Sequence, residues 1–224
     1  MQVSKKRAAE NIFIGAVLLS WVLVALPPQL GMSKDLESEE PDVVFEDDFT
    51  IPFPLSKWAV LKPTENDEED VSWVANGAYR MHSKGSLQAL APQPDTIEDA
   101  KVEVDATRIG DDASKPASWG VVCRASIAKG DVYLFALLND GRPFIAKSDN
   151  NEVNILAVGT PAEAIHMDKS PNRIRGDCVG NKLTLYINGQ KLLEVEDAEF
   201  ASGGVGLAVE NADISFDNFS VRKP

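Results

Sequence analysis

The sequence has few residues suited to metal or nucleophilic chemistry. Its 224 residues include two histidines, His82 and His166, and two cysteines, Cys123 and Cys178. Neither pair has the spacing of a zinc site, and the cysteines do not form a CxxC motif. The chain also lacks the G-x-S-x-G elbow of serine hydrolases and a glycine-rich phosphate loop that ends in lysine. These absences argue against zinc chemistry, triad hydrolysis and P-loop nucleotide binding.

Basic residues are also scarce. Lys and Arg number 22 against 35 Asp and Glu, which gives a formal net charge of -13. Lys5, Lys6, Arg7 and Glu10 contribute +2, so the chain after residue 30 carries -15. A surface this acidic repels nucleic acid and anionic lipid headgroups, so no nucleic-acid partner is expected. Neutral sugars, cations and basic protein surfaces remain open as partners, and acidity also keeps a secreted domain soluble.

Only one long apolar run occurs, near the N-terminus. Residues 12–26 (IFIGAVLLSWVLVAL) are uncharged, follow a basic cluster and are followed by Pro27 and Pro28. This order is typical of a secretory signal, and it predicts that the chain after residue 30 faces away from the cytoplasm. An A-x-A cleavage site is missing, and the run is short for a spanning helix of ~20 residues. Residues 1–30 are interpreted as a signal peptide or an uncleaved anchor, with membrane contact only through residues 12–26.

Beyond this run the composition changes twice. Residues 31–43 are polar and acidic and are predicted to form a linker. In residues 44–224, short alternating segments are separated by turn dipeptides, without sustained helical periodicity. Residues 63–70 (PTENDEED) are expected to form an exposed acidic loop. The sequence therefore predicts a single all-β domain from residue 44 onward.

Turn dipeptides mark the predicted hairpins. Asn188-Gly189, within residues 182–195, suits a type I′ turn, and Asp140-Gly141 ends a second hairpin. Further strands are predicted at residues 102–109, 118–126, 172–179, 204–210 and 214–221. Strands this numerous, with turns at this spacing, predict a sandwich or a jelly roll.

Alternation along two of these strands places both cysteines on apolar faces. Cys123 shares a face with Trp119 and Val121, and Cys178 shares a face with Ile174. In an oxidising compartment such cysteines are expected to pair in a structural disulfide. Two independent buried thiols are the alternative, because free cysteine is often buried.

The opposite strand faces are polar and supply candidate ligand-binding residues. If the strands share one sheet, its outer surface would be a groove with aromatic and planar polar groups, which suits a sugar. The candidates chosen on this basis are Arg124, Tyr133, Arg175, Tyr186 and Glu210. The alternative is an ordinary solvated strand face, where arginine, glutamate and tyrosine are common.

One carboxyl pair invites a catalytic interpretation. Glycoside hydrolysis generally needs two carboxyl groups about 5–9.5 Å apart in one cleft. Glu103 and Asp105 are two residues apart and face the same side of their predicted strand. A charged outer strand face has the same pattern, so no residue is predicted to be catalytic.

Several segments, taken in order, resemble concanavalin A-like lectin and glucanase domains. They are VFEDDF, WGVVCR, NRIRGDCVGNKLTLYINGQKLLEVED, GGVGLAVEN and ISFDNFSV, and they span residues 44–221. The resemblance is to the branch described as 3-keto-disaccharide hydrolase-like or laminin-G-like. It implies a jelly roll of two antiparallel sheets with the first and last strands adjacent. The E-x-D-x-x-E motif of the glucanase relatives is absent from the sequence.

The resemblance also implies a ligand class and one cofactor. Domains of this kind bind or cleave carbohydrate outside the cell, and several hold a structural calcium ion near the first and last strands. The matching positions here are Asp47, Asp48 and Asp217, whose hard carboxylate oxygens suit calcium. The alternative is that these carboxylates cap turns or face water. No other cofactor is expected.

Three functions follow from these expectations. The favoured one is an extracytoplasmic lectin-like module that binds glycan at the cell surface or envelope without catalysis. The first alternative is a sugar-processing hydrolase of the 3-keto-disaccharide hydrolase type. The second alternative is a structural subunit that docks on another envelope protein.

Overall fold

The computed structural model describes residues 42–51, 58–61, 71–91, 94, 96–111, 115–126 and 128–224. The predicted leader, the predicted linker up to residue 41 and the predicted acidic loop at residues 63–70 lie outside these ranges. Within them every regular element is a strand, as expected. No helix in these ranges is long and apolar enough to cross a membrane.

The described residues contain fifteen strands between Val43 and Arg222. They are β1 (Val43–Asp47), β2 (Ala59–Leu61), β3 (Val71–Ala75), β4 (Ala78–His82), β5 (Ser86–Leu90), β6 (Ala100–Asp111), β7 (Ser118–Ser126), β8 (Asp131–Leu138), β9 (Pro143–Asp149), β10 (Glu152–Val158), β11 (Asn172–Val179), β12 (Lys182–Ile187), β13 (Gln190–Glu196), β14 (Gly204–Glu210) and β15 (Ala212–Arg222).

These strands form two antiparallel sheets, which confirms the expected sandwich. Sheet A has eight strands: seven follow the order β13-β12-β11-β6-β15-β4-β3, and β1 also pairs with β15. Sheet B has seven strands in the order β10-β9-β8-β7-β14-β5-β2. Strand β15 pairs with β6 along one edge, and with β4 and then β1 along the other. The first and last described strands are therefore adjacent, as the resemblance implied.

The turn residues explain the hairpin registers. Asn188 and Gly189 have positive φ angles of 50° and 81°, which a type I′ turn requires. They join β12 to β13, and Asp140 and Gly141 join β8 to β9 at the predicted position. Gly141 also has a positive φ angle, 85°, which glycine adopts without steric cost. Both predicted hairpins are confirmed.

The core lies between the inner faces of the two sheets. Ile174 and Leu185 of sheet A and Val121 and Phe135 of sheet B are all fully buried there. Burying a side chain of this size stabilises the fold by about 1.5–3 kcal/mol. Gly176 of β11 leaves room for the large ring opposite, because a Cβ at this position would lie 2.6 Å from the Phe135 ring.

A disulfide crosses this core from one sheet to the other. Cys123 of β7 in sheet B is bonded to Cys178 of β11 in sheet A, and the two Cα atoms are 6.8 Å apart. Both residues are buried among core side chains. The expected disulfide is confirmed, and so is the strand parity from which it was inferred.

Candidate functional site

The five predicted ligand-binding residues do not share one sheet. Arg175 and Tyr186 lie on β11 and β12 of sheet A, where they are register partners. Arg124, Tyr133 and Glu210 lie on β7, β8 and β14 of sheet B. A single polar groove formed by all five required that their strands share one sheet. This condition is not met, because β11 and β12 belong to sheet A whereas β7, β8 and β14 belong to sheet B.

Arg124 is buried and serves the fold. It is 3% exposed and has a positive φ angle of 50°, at an irregularity in the β7–β8 pairing that turns its side chain away from the sheet surface. Its guanidinium donates to three backbone carbonyls, at 2.8 Å to Glu98 and Gly180 and at 2.9 Å to Phe200. An ion pair with Asp99 at 3.2 Å completes the set. The prediction that Arg124 lines an open groove is corrected on these grounds.

Tyr133 is also buried, and its hydroxyl is fully engaged. It donates to Asp197 Oδ1 at 2.5 Å and accepts from the Phe200 amide at 3.1 Å. Burial and the bond to Asp197 raise the pKa of Tyr133 to about 12. Lys147 Nζ donates to both Asp197 and Glu199. Tyr133 is therefore an anchor for the segment between β13 and β14, and the prediction that it faces a ligand is corrected.

The carboxylate that receives these bonds is held ionised. Burial by itself would raise the pKa of Asp197, but the hydrogen bonds from Lys147 and Tyr133 outweigh burial and lower it. The same contacts raise the pKa of Lys147. The group is a closed ion-pair network and leaves no reactive base free for chemistry.

The outer face of sheet A carries several ion pairs. Arg173 lies between Glu103 and Asp105, with Nη–Oε and Nη–Oδ distances of 3.0 and 3.3 Å. The Arg175 guanidinium is 3.8 Å from the centre of the Tyr186 ring, a cation–π contact. Glu103 and Asp105 thus share one guanidinium, an arrangement that compensates both charges and does not resemble a free catalytic pair.

Asp177 is the buried acid of this face. Its carboxylate lies 3.0 Å from Arg175 Nε, and only 10% of its side chain is exposed. Burial raises the pKa of Asp177, and the positive charges of Arg175 and Lys101 oppose that rise. The side chain is part of the ion-pair surface and is not aimed into a cavity.

All three proposed calcium ligands accept hydrogen bonds from protein groups, Asp47 and Asp48 at the end of β1 and Asp217 on β15. The Asp47 carboxylate accepts hydrogen bonds from the Phe49 amide and from Trp58 Nε1, both at 2.8 Å. Asp48 Oδ1 accepts from the Thr50 hydroxyl at 2.8 Å and from the Thr50 amide at 3.1 Å. These bonds lower the pKa of Asp48, with the hydroxyl bond as the largest cause. Both carboxylates cap turns that follow β1.

The third proposed ligand, Asp217, likewise accepts a local hydrogen bond, from the Asn218 amide at 2.7 Å. Within the described ranges, no group of three or more histidine, cysteine, aspartate or glutamate side chains is placed to hold a metal ion. Asp47, Asp48 and Asp217 are therefore not gathered into one such cluster. Calcium binding stays a prediction, and no function below depends on it.

A groove of about 770 Å³ crosses the outer face of sheet B. It runs over β14, β7, β8 and β9, with β5 on one side and β10 on the other. Its surface is mainly aliphatic, and the underlying side chains form apolar clusters separate from the main core. The apolar lining includes Ala125, Val132, Leu134, Leu138, Phe144, Ala146, Val153, Ile155, Val158 and Ala208.

Polar groups lie at the two ends of the groove. One end has Ser86, Ser118, Arg142 and Glu210, and the other has Ser126, Asp131, Lys147, Ser148 and Asn151. Glu210 is thus the only one of the five predicted residues that lines this groove, and its Oε2 accepts from Ser118 Oγ at 3.3 Å.

The two acidic residues of the described lining are far apart. Glu210 pairs with Ser118 at the start of β7, and Asp131 pairs with Ser126 at its end. Strands rise about 3.3 Å per residue, so the two carboxyl groups lie roughly 25 Å apart. A glycosidase pair requires about 5–9.5 Å. Among the described residues, this lining does not supply such a pair.

Sequence reasoning missed this groove, although one signal pointed to it. A strand with one face in water alternates apolar and polar residues, whereas β8 (DVYLFALL) is apolar at both parities. Tyr133, Phe135 and Leu137 fill the core, while Val132 and Leu134 line the groove. The double-sided apolar pattern therefore indicated a covered or specialised outer face.

Solved structures share this architecture, although no protein-family model matches the chain and no curated protein matches its sequence. The carbohydrate-binding module CBM66 from Bacillus subtilis is 17% identical, with a TM-score of 0.63 over 74% of this chain and 95% of that one. A protein of unknown function with a galectin-like fold, from the same organism, is 13% identical, with a TM-score of 0.60 over 81% and 96%. A β-glucanase from Bacillus licheniformis is 11% identical, with a TM-score of 0.58 over 81% and 98%. The chain thus has the concanavalin A-like jelly-roll fold, as its sequence segments predicted.

Proposed function

We propose that this concanavalin A-like domain is a non-catalytic, lectin-like module that binds a neutral glycan in the groove of sheet B, outside the cytoplasm. The observation that carries the proposal is the groove itself, which occupies about 770 Å³. That volume is within the ~300–1,000 Å³ typical of ligand sites. The solved structures of the same fold include a carbohydrate-binding module and glucanases, which supports a sugar as the ligand class.

The charges around the groove favour a neutral ligand. Arg142 Nε is 2.7 Å from Asp140, and Lys147 Nζ is 2.8 Å from Asp197. Asp131 accepts from the Asn150 amide at 3.2 Å. Because Arg142 and Lys147, the two cations of the described lining, already have carboxylate partners, an anionic sugar would find no unpaired positive charge in that lining. The overall charge of -13 would also repel it.

Binding without turnover is proposed because the carboxyl groups are not arranged for glycoside hydrolysis. In the described lining the two acids lie at opposite ends of the groove. Glu103 and Asp105 sit on the other sheet and share Arg173. A hydrolase of the 3-keto-disaccharide type would need carboxyl groups placed differently, so it is the less supported alternative.

Two features support a location outside the cytoplasm. Cys123 and Cys178 are bonded, and structural disulfides persist mainly in oxidising compartments. The basic cluster and the apolar residues 12–26 have the order of an export signal. The proposed partner is therefore a glycan at the cell surface or in the envelope.

Glycan binding by the wild type and by variants on each sheet tests this proposal. Leu134→Lys places a charge in the middle of the groove, and Tyr186→Ala changes the outer face of sheet A. We expect the wild type to bind neutral glycans on an array, Leu134→Lys to bind at least tenfold more weakly, and Tyr186→Ala to bind as the wild type does. Melting curves of both variants would establish that they are folded.

Any of three results would contradict the proposal. If Tyr186→Ala lost binding while Leu134→Lys kept it, the site would lie on sheet A, which carries two of the five residues predicted from the sequence. If the wild type bound no glycan, the lectin-like function would be rejected. Release of reducing sugar from a bound glycan would instead favour the hydrolase.

An interaction subunit is a second candidate, supported by the edge strand β10. Val153, Ile155 and Val158 are 68%, 58% and 53% exposed there, and the outer edge of β10 has no strand partner among the described residues. An exposed apolar edge is a template for strand addition by another protein. Chemical cross-linking in the envelope fraction would favour this function if one protein were captured through β10 and a β10 proline variant abolished its capture.

A further inference from the structure

Among the described residues, the middle of the groove has no polar group that could bind a hydroxyl group. Leu134, Ala146 and Ala208 line it, and none of these side chains carries a polar atom. The strands beneath them, β14, β7, β8 and β9, are each paired on both sides, so their backbone amides and carbonyls are used within the sheet. A sugar hydroxyl pressed onto this surface would lose its hydrogen bonds to water and gain none.

Beside this floor, the edge strand contributes exposed aliphatic side chains. Val153 and Ile155 alternate along β10 so that both face the groove, and both are more than half exposed. Covering these exposed aliphatic side chains with an apolar group removes apolar surface from water, which lowers the free energy of the complex. The wall and the floor therefore favour the same kind of chemical group.

The ends of the groove have the opposite character. Ser118 and Glu210 at one end, and Ser126, Ser148 and Asn151 at the other, present hydroxyl, carboxylate and amide groups. A ligand that complements the whole groove is polar at both ends and apolar in between. The compensated rim cations described above add the condition that it is uncharged.

We propose that the groove selects a neutral glycan whose central units present methyl or acyl groups, such as 6-deoxy, O-methylated or O-acylated sugars, toward Leu134 and the β10 wall. This inference rests on the proposed carbohydrate-binding function and narrows its ligand class. A plain hexose chain would leave hydroxyl groups on an aliphatic floor, whereas a methyl or acyl group would fill the space with matching apolar contact. The polar ends would bind the hydroxyls of the flanking units.

Matched ligand pairs test this selectivity. The full chain in lipid nanodiscs, with empty nanodiscs as the blank, is titrated with a partially O-methylated gluco-oligosaccharide and with its unmodified parent. A 6-deoxyhexose oligosaccharide and its hexose counterpart form the second pair. We expect the methylated and deoxy ligands to bind about tenfold more tightly, or better, because one methyl group in an apolar site commonly discriminates 10–200-fold.

A near-isosteric variant assigns the effect to the groove. Val153→Thr with Ile155→Thr keeps β-branched side chains on an exposed strand, so the fold is expected to persist. It replaces apolar wall with hydroxyl groups and should reduce the preference for the methylated ligand by about tenfold. Tyr186→Ala, on the other sheet, serves as the matched control and should leave the preference unchanged.

The possible outcomes separate the two proposals. Equal or stronger binding of the unmodified parent would overturn the selectivity and leave the lectin-like function intact. Absence of binding by all four glycans would overturn both. If octanol bound as tightly as the O-methylated oligosaccharide and competed with it, the site would belong to lipid chemistry and the glycan selectivity would be rejected.

Discussion

The two outer faces of this sandwich are built from the same kind of strand but carry opposite chemistry. Sheet A presents paired charges, such as the Arg80–Asp213 contact at 2.6 Å and the Arg173–Glu103 contact at 3.0 Å. Sheet B presents an aliphatic groove bounded by polar ends. A charged strand face is well solvated and needs no partner. An exposed apolar patch with a polar rim is instead typical of an interaction or ligand-binding site. This difference in chemistry is the reason why the proposed ligand site is assigned to sheet B and not to sheet A.

The first prediction concerns the bond that joins the two sheets. Replacing Cys123 and Cys178 together by alanine should lower the free energy of unfolding by about 2–5 kcal/mol, because the disulfide closes a loop that separates the cysteines by 55 residues. Urea unfolding in non-reducing buffer measures this loss. The reduced wild type is the control and should lose a similar amount. A wild type equally stable with and without reductant would show that the disulfide does not stabilise the fold.

The second prediction breaks an anchor beneath sheet B. The Tyr133 hydroxyl holds Asp197 and the Phe200 amide, so Tyr133→Phe should cost about 1–3 kcal/mol at neutral pH. Binding at the groove should persist, since Tyr133 is fully buried on the core side. Urea unfolding at pH 7 and a glycan titration measure the two effects. A variant as stable as the wild type would mean that water replaces both hydrogen bonds.

The same side chain gives the protein a specific alkaline transition. The pKa of Tyr133 is about 12 in the folded protein, and it is about 10 in an unfolded chain. A folded pKa above the unfolded one contributes stability that is present below pH ~10 and is lost as the pH rises toward ~12. The loss amounts to about 3 kcal/mol at 1.36 kcal/mol per pKa unit. The stability of the wild type relative to Tyr133→Phe should therefore fall by about this amount from pH 9 to pH 12, so that the advantage of the wild type at neutral pH vanishes or reverses, and urea unfolding across this pH range measures it.

The fold was accessible from sequence because its signals are local. Asn188-Gly189 fixed one hairpin, and alternation placed Cys123 and Cys178 on inner faces, where they are bonded. The predicted bounds of β7, β11 and β14 agree with the structure to the residue. Strand β7 begins and ends with serine, β11 lies between Pro171 and Gly180, and β14 lies between Gly203 and Asn211. These polar, proline and glycine residues mark the strand ends.

The site was less accessible because it depends on non-local order. Parity shows that Arg175 and Glu210 both face outward, but it cannot show that β11 and β14 lie in different sheets. Alternation along β7 also gave the wrong direction for the Arg124 side chain, because a strand irregularity and a positive φ angle redirect it. The groove appears only when Leu134 and Ala208, which are distant in sequence, are brought onto one surface.

The third prediction weakens the charged face alone. Arg173→Gln leaves Glu103 and Asp105 facing each other without a cation, and it removes a bond to the Asn218 carbonyl. The cost should be about 1 kcal/mol, because partly exposed ion pairs contribute little. Glycan affinity should stay within twofold of the wild type. Urea unfolding and a glycan titration measure both effects, and Arg222→Gln, which removes one exposed pair on β15 of the same sheet, is the matched control.

The fourth prediction compares the groove wall with the core of the same sheet through one small substitution, valine to threonine. At Val153, 68% exposed on the groove wall, the substitution should alter the free energy of unfolding by no more than about 0.5 kcal/mol. The same substitution at Val121, fully buried in the core of the same sheet, buries a hydroxyl and should cost about 1–3 kcal/mol. Urea unfolding compares the two variants, and titration with the O-methylated oligosaccharide should rank them in the reverse order. If Val153→Thr cost as much stability as Val121→Thr, the wall would be part of the core rather than part of the site. If the two variants lost equal stability in urea and equal affinity in the titration, the main reason to assign the groove to a ligand would be removed.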